Sequence, residues 1–168
     1  MKVKIKKIYV DSRLPIKMSE KAGAYDIYCH SIEIKNNVYI CKTGVAMTPP
    51  EGYRICLIPR SSLSNYNWVL GNHFGIGDED YTGEYQFRFR PIPRSIYSDS
   101  SLEKEYDYGN TYQYVKTEST LEFDEFPFKP GDRIGQIFLE EVIPIEFEEV
   151  EELSITERST GGYGSTGL

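Results

Sequence analysis

The chain closes on Arg158-Ser159-Thr160-Gly161-Gly162-Tyr163-Gly164-Ser165-Thr166-Gly167, a run joining one guanidinium, one aromatic ring and several hydroxyls on a backbone of little bulk. Glycine lets a backbone approach a ligand closely. Successive free N–H groups form anion-binding nests. Arg158 adds a planar fork suited to phosphate, Tyr163 a face on which a base can stack, and Gly164, Ser165 and Thr166 further donors. A solvated chain end has the same composition, so the tail gains meaning only from what precedes it. It is not a phosphate-binding P-loop, because no lysine follows its glycines.

Three upstream segments also carry reactive groups. Ile58-Pro59-Arg60-Ser61-Ser62-Leu63-Ser64 leaves a strand for a short helical turn. There, backbone amides, the Ser61 and Ser62 hydroxyls and Arg60 form either an anion site or an ordinary helix cap. Val69 to Glu84 reads as a Gly-rich hairpin whose own N–H and C=O groups can face the edge of a base. Asp78 follows the bend, placed to hold and deprotonate a water; a solvated acidic turn would read the same way. Asp78-x-Asp80-x-Thr82-Gly83 resembles the start of a calcium loop, but the twelfth position is Phe89 rather than a bidentate glutamate. Arg133-Ile134-Gly135-Gln136 follows a Lys-Pro-Gly-Asp turn and in isolation reads as a strand with a solvent-facing arginine and an incidental glutamine.

The elements that position these groups are strands. Apolar and basic residues alternate from Lys2 to Val10, with a slip at Lys6-Lys7 that predicts a bulge. Further β-rich runs are Val38–Cys41, Arg54–Ile58, Tyr85–Phe89, Thr111–Val115, Leu121–Phe123, Ile134–Leu139 and Ile143–Phe147. Turn signals stand at Asn36-Asn37, at Pro49-Pro50-Glu51-Gly52 and at Lys129-Pro130-Gly131-Asp132. No window supports a long amphipathic helix, so the pattern predicts an all-β sandwich, jelly roll or barrel.

Composition narrows the function. With 168 residues the chain is one domain with a sizeable core. A net charge of −7 argues against gripping nucleic acid through its backbone. Cys29, Cys41 and Cys56 are odd in number, without CxxC spacing, and read as small core residues. No stretch is long enough to cross a bilayer and the N-terminus has no apolar leader core; a cytoplasmic protein is expected, in a bacterium or an infected host cell.

Taken together, Tyr25-Asp26-Ile27, Pro59-Arg60-Ser61-Ser62-Leu63, Gly75-Ile76-Gly77-Asp78-x-Asp80-Tyr81-x-Gly83, Arg133-Ile134-Gly135-Gln136 and Arg158-x-x-Gly161-Gly162-Tyr163-Gly164-Ser165-Thr166-Gly167 resemble, in order and spacing, the five motifs of the trimeric dUTPases. The resemblance implies a distorted jelly roll (β-clip), a homotrimer with a swapped C-terminal arm, and hydrolysis of dUTP to dUMP and pyrophosphate. It assigns Asp78 to the attacking water, Tyr81 to packing beneath deoxyribose, and Asn72 with the hairpin backbone at Gly75 and Ile76 to uracil. Ser61, Ser62 and Gln136 would meet the phosphates, with Arg60, Asp26 and Arg133 in support. Residues 158–168 would close a neighbour's site, Arg158 at the γ-phosphate and Tyr163 over uracil. Mg²⁺ would be held by the substrate phosphates, with no direct protein ligand.

The pattern departs from the family at several positions. Gly77 stands where an aliphatic residue usually precedes the aspartate, and Gly135 replaces alanine. Gly23-Ala24 reverses the usual order, and Ser159 replaces a glycine. Residues 91–128, rich in Tyr, Ser and acidic groups, lie outside every motif and read as an insertion within a domain of residues 1–157. It is either a structural hairpin, Thr111–Val115 against Leu121–Phe126, or a surface for a regulatory protein partner, as in a phage or viral enzyme. A dCTP deaminase is the remaining alternative, but Arg88 occupies the position its glutamate would need.

Overall fold

A computed structural model describes residues 1–107, 110–157 and 159–161, with the backbone alone described over 95–120. Eleven strands follow in order: β1 (Lys4–Lys7), β2 (Tyr25–Tyr28), β3 (Ser31–Lys35), β4 (Val38–Thr48), β5 (Tyr53–Pro59), β6 (Trp68–Leu70), β7 (Gly75–Gly77), β8 (Glu84–Pro91), β9 (Arg94–Asp107), β10 (Asn110–Glu122) and β11 (Arg133–Glu141). One sheet runs β1-β4-β8-β6 with β3 also on β4, a second runs β2-β11-β5-β7, and β9 pairs with β10 alone. All pairings are antiparallel. The expected all-β jelly-roll class is what forms.

Period-two alternation shows most clearly in β8: Tyr85, Phe87 and Phe89 are buried, while Arg88 and Arg90 are exposed. They meet Ile27, Ile55, Leu57, Ile134 and Ile137 of the second sheet in one core. Cys29, Cys41 and Cys56 are free and buried, as small apolar residues would be. The Asn36-Asn37 turn takes φ of 51° and 59°, which suits a two-residue hairpin between β3 and β4.

The expected bulge at Lys6-Lys7 is not found; β1 pairs in unbroken register with Val45–Thr48. The irregularity lies in β4, between Lys42 and Ala46. Gly44 takes φ +70° there, and a Cβ on it would lie 2.3 Å from Ser12 Oγ, so only glycine fits. Side chains satisfy the interrupted ladder: Thr43 Oγ1 donates to the Tyr85 carbonyl (2.7 Å) and Gly44 N donates to Glu84 Oε1 (2.8 Å). The bulge therefore anchors the start of β8, where the segment bearing Asp78 ends.

Residues 143–147 form no strand. Ile143, Ile145 and Phe147 are 76%, 70% and 92% exposed; their alternation is real, but no strand among the described residues pairs with the segment. In the extra segment the paired strands are β9 and β10, from Arg94↔Glu122 to Asp107↔Asn110, rather than Thr111–Val115 against Leu121–Phe126. Its polar Ser- and Thr-rich halves hide a long ladder that needs only backbone groups.

The hairpin is also narrower than 91–128. Phe126 and Phe128 pack on the core beside Phe89, with ring centroids 5.6 and 5.3 Å away. Trp68 Nε1 donates to the Asp124 and Glu125 carbonyls at 3.2 and 3.1 Å. Residues 124–128 thus belong to the domain and 94–122 to the projection.

Candidate active site

Two clusters emerge. The first is built on β2 and β11, where Asp26 and Gln136 are register partners. Asp26 is 2% exposed. Its Oδ2 accepts from Arg133 Nη1 at 3.0 Å and its Oδ1 from Gln136 Nε2 at 2.9 Å. Arg60 Nε lies 3.7 Å from the same Oδ2 and Arg60 Nη1 donates to the Arg133 carbonyl at 3.5 Å. A buried carboxylate requires such partners, so the aspartate fixes two guanidiniums and an amide in place. An amide nitrogen carries two hydrogens; Gln136 spends one on Asp26 and keeps another. Arg60 leads into a five-residue 3₁₀ helix, Ser61–Asn65, without a side-chain cap. Ser61 is exposed and Ser62 half-buried. Arg60, Ser61, Leu63 and Ser64 face a cavity of about 320 Å³ bounded on its other side by Trp68–Leu70 and His73.

The second cluster surrounds a cavity of about 540 Å³ lined by Asn72, Gly75, Ile76, Asp78, Tyr81, Arg88 and Arg90, among others. Val69–Glu84 is not the hairpin its sequence suggests. β6 pairs with β8 and β7 with β5, so the chain crosses from one sheet to the other between Leu70 and Gly75. β7 instead adds to β5 of the second sheet, in register from Ile55↔Gly77 to Leu57↔Gly75. As an edge strand of the second sheet, β7 keeps one side free of strand pairing among the described residues, and N–H and C=O groups on such a side are what a base edge can use. Asp78 is exposed at the end of β7, and a turn closes from the Tyr81 N–H to its carbonyl at 3.2 Å. Tyr81 is 43% exposed, donates its hydroxyl to the Glu84 carbonyl at 2.9 Å and stands edge-on to Tyr85, centroids 5.4 Å apart.

The two cavities share no lining residue. One chain thus gathers Asn72, Gly75, Ile76, Asp78 and Tyr81 on one surface, and Arg60 and Ser61 on another beside the Asp26–Arg133–Gln136 cluster. Arg158, Tyr163, Gly164, Ser165 and Thr166 lie outside the described residues. Sequence reasoning names Arg88 only as an argument against a deaminase and passes over Arg90, although the outward alternation of both on β8 is a readable signal. It also missed the aromatic wall behind β7.

A family profile of dUTPase matches residues 11–90. A deoxyuridine 5'-triphosphate nucleotidohydrolase of Nautilia profundicola is 32% identical over 99% of this chain and 99% of its own length. One of fowlpox virus is 30% identical over 99% and 97%. The chain belongs to the dUTPase family. Its reaction is hydrolysis of dUTP to dUMP and pyrophosphate, and deaminase chemistry is not favoured. The fold agrees with that of a dUTPase from Staphylococcus bacteriophage 80alpha solved with dUPNHPP, at a TM-score of 0.69, 23% identity and 99% coverage of both chains. Among the described residues no helix is long and apolar enough to cross a membrane.

Proposed function

We propose that Asp78 holds the attacking water and accepts its proton as the water oxygen bonds to the α-phosphorus of dUTP. The bond from that phosphorus to the bridging oxygen then breaks, and pyrophosphate leaves. The supporting observation is the placement of Asp78: an exposed carboxylate at a 540 Å³ cavity, beside an exposed ring and a free strand edge. Uracil is read by the β7 edge at Gly75 and Ile76 and by Asn72. Tyr81 underlies deoxyribose and crowds a 2′-hydroxyl. Ser61, Ser62 and Gln136 bind phosphate, supported by Arg60, Arg133 and Asp26. Phosphoryl transfer asks mainly for such positioning and charge neutralisation.

Use of Mg²⁺ is general in the dUTPase family. The ion would be carried by the triphosphate, because Mg²⁺ prefers phosphate oxygens and water to an all-protein cage. When bound it neutralises phosphate charge.

The separation of the two clusters supports a site shared among the subunits of a homotrimer. The exposed Ile143, Ile145 and Phe147 suit an arm packed on a neighbour. Residues 158–168 then bring Arg158, Tyr163, Gly164, Ser165 and Thr166 over that site, excluding water on closure.

Pyrophosphate release measured across dUTP, dTTP, dCTP and UTP with Mg²⁺ tests the assignment. Tyr81→Ala is expected to narrow the dUTP-over-UTP preference, and an unchanged ratio places discrimination elsewhere. Removal of residues 158–168 should leave a folded trimer with little activity. Mixing that truncated protein with full-length Asp78→Asn subunits should restore part of it. Absence of rescue would mean that arm and base come from the same chain.

A further inference from the structure

Two of the departures from the dUTPase pattern, Gly77 and Gly135, share a structural cause. Each immediately precedes a proposed site residue, Asp78 and Gln136. Each also faces a large aromatic residue of β8. A Cβ on Gly77 would lie 2.3 Å from the Tyr85 hydroxyl oxygen and 2.5 Å from its ring. A Cβ on Gly135 would lie 2.0 Å from the Phe87 ring. Backbone and ring cannot both yield at such distances in a packed core. Tyr85 and Phe87 are 3% and 1% exposed, so neither ring can swing into solvent. Both glycines belong to the second sheet, on β7 and β11, and both rings come from the first.

We propose that Tyr85 and Phe87 are positioning residues that set the two halves of the site, through size-exchanged pairs Tyr85–Gly77 and Phe87–Gly135. In each pair the bulk that would stand before the site residue is supplied from the opposite sheet. Tyr85 occupies the volume of the missing side chain at 77 and backs the strand end that carries Asp78. The same ring takes the edge of Tyr81, so one residue supports both the base and the sugar platform. Phe87 does the corresponding work behind Gln136. The Tyr85 hydroxyl is buried and has no hydrogen-bond partner among the described residues. Burial, with the nearby Tyr81 and Asp78, pushes its pKa up to about 12, so it stays a neutral space-filling group through the working pH range. Volume, not hydrogen bonding, is then its contribution.

The inference rests on the assignment of Asp78 and Tyr81 above, and a double-variant cycle on the full-length protein tests it. Tyr85→Val should lower kcat for dUTP by roughly 10- to 100-fold, the cost of a displaced reacting group, and narrow the dUTP-over-UTP preference. Gly77→Val alone should be as damaging, and the double variant should regain most of the loss in both readouts. Gly135→Ala should instead act mainly on KM, with relief by Phe87→Leu. Tyr85→Phe should match wild type. A wild-type kcat in Tyr85→Val, or a double variant no better than either single, would overturn the proposal. So would a Tyr85→Phe variant as impaired as Tyr85→Val, since the hydroxyl rather than the bulk would then matter. If Tyr85→Val fails to assemble, recovery of assembly and activity in the double variant decides alone. Asp78→Asn run in parallel keeps the two readings apart: full turnover there removes the base assignment, whereas rescue within the cycle reports on the exchange itself.

Discussion

Asp26 and Asp78 are both carboxylates of site motifs, yet the protein treats them in opposite ways. Asp26 is 2% exposed and held by Arg133, Gln136 and Arg60. Asp78 is exposed, and the interactions around it are made by its backbone. A buried charge must be paired and, once paired, fixes the geometry of whatever pairs with it. An exposed one is free to bind water and to take and return a proton. On the roles proposed above, rigidity would stand where phosphates need a preorganised frame, and freedom where a reacting water must enter.

The sharpest way to break this contrast is to change each aspartate alone. Asp78→Asn keeps size and removes the proton acceptor, so kcat should fall on the order of 10²–10⁴-fold. Its melting temperature and dUTP affinity should stay close to wild type, as calorimetry and titration with a non-hydrolysable analogue would show. A large drop in melting temperature would make Asp78 structural after all.

Asp26→Ala should do the reverse. It strands two guanidiniums that are 26% and 35% exposed at the side chain, which places the cost near 3 kcal/mol, or roughly 6–12 °C in melting temperature. Activity should fall through a raised KM for dUTP, because Arg60, Arg133 and Gln136 lose their common anchor. A variant as stable as wild type would mean that the cluster is held from elsewhere.

The same contrast between frame and free surface divides residues 91–128. Replacing 96–120 by a two-residue turn between Ser95 and Leu121, which are register partners, removes only the projecting hairpin. Hydrolysis should persist, and stability should shift by about 1 kcal/mol at most, because loop length enters only logarithmically. If the projection recruits a regulatory protein, that binding alone should vanish. Cutting the wider Ile92–Pro127 also deletes Phe126 from the aromatic cluster and the carbonyls that satisfy Trp68 Nε1. That deletion should cost about 3 kcal/mol or more. Equal melting curves for the two deletions would show that residues 124–128 do not belong to the core.

Much of this was legible in the chain because the relevant signals are local. Alternation marked β4, β5, β8 and β11, and the asparagine and glycine turns marked their ends. The motif order singled out Asp78, Tyr81, Asn72, Arg60 and Gln136, which the structure divides between two groups, Asn72, Asp78 and Tyr81 in one and Arg60 and Gln136 in the other. What stayed hidden depends on distant partners. Nothing near Gly77 announces that Tyr85 fills its place, and nothing near Phe126 announces Tyr39 and Trp68, with ring centroids 4.6 and 4.8 Å away. β10 was read as two short strands because its ladder rests on backbone groups that carry no side-chain pattern. The crossing of β7 between sheets was missed because a Gly-rich bend reads alike whether the chain returns to its own strand or moves to another.

An effect confined to alkaline pH concerns the wall behind Asp78. Tyr85 has its phenol pKa raised from 10 to about 12 by burial, then by Tyr81 and Asp78. A group whose folded pKa lies above its unfolded value contributes stability in full below the unfolded value. That contribution is lost as pH rises through the folded one. Wild-type stability should therefore be level towards pH 10 on this account and decline between about pH 10 and 12, by at most about 3 kcal/mol from this residue. Tyr85→Phe should flatten that part of the decline while leaving neutral-pH activity intact, and should remove one late step from the tyrosinate absorbance titration. An identical alkaline profile in the variant would mean that water reaches the phenol and that the wall behind Asp78 is looser than its packing indicates.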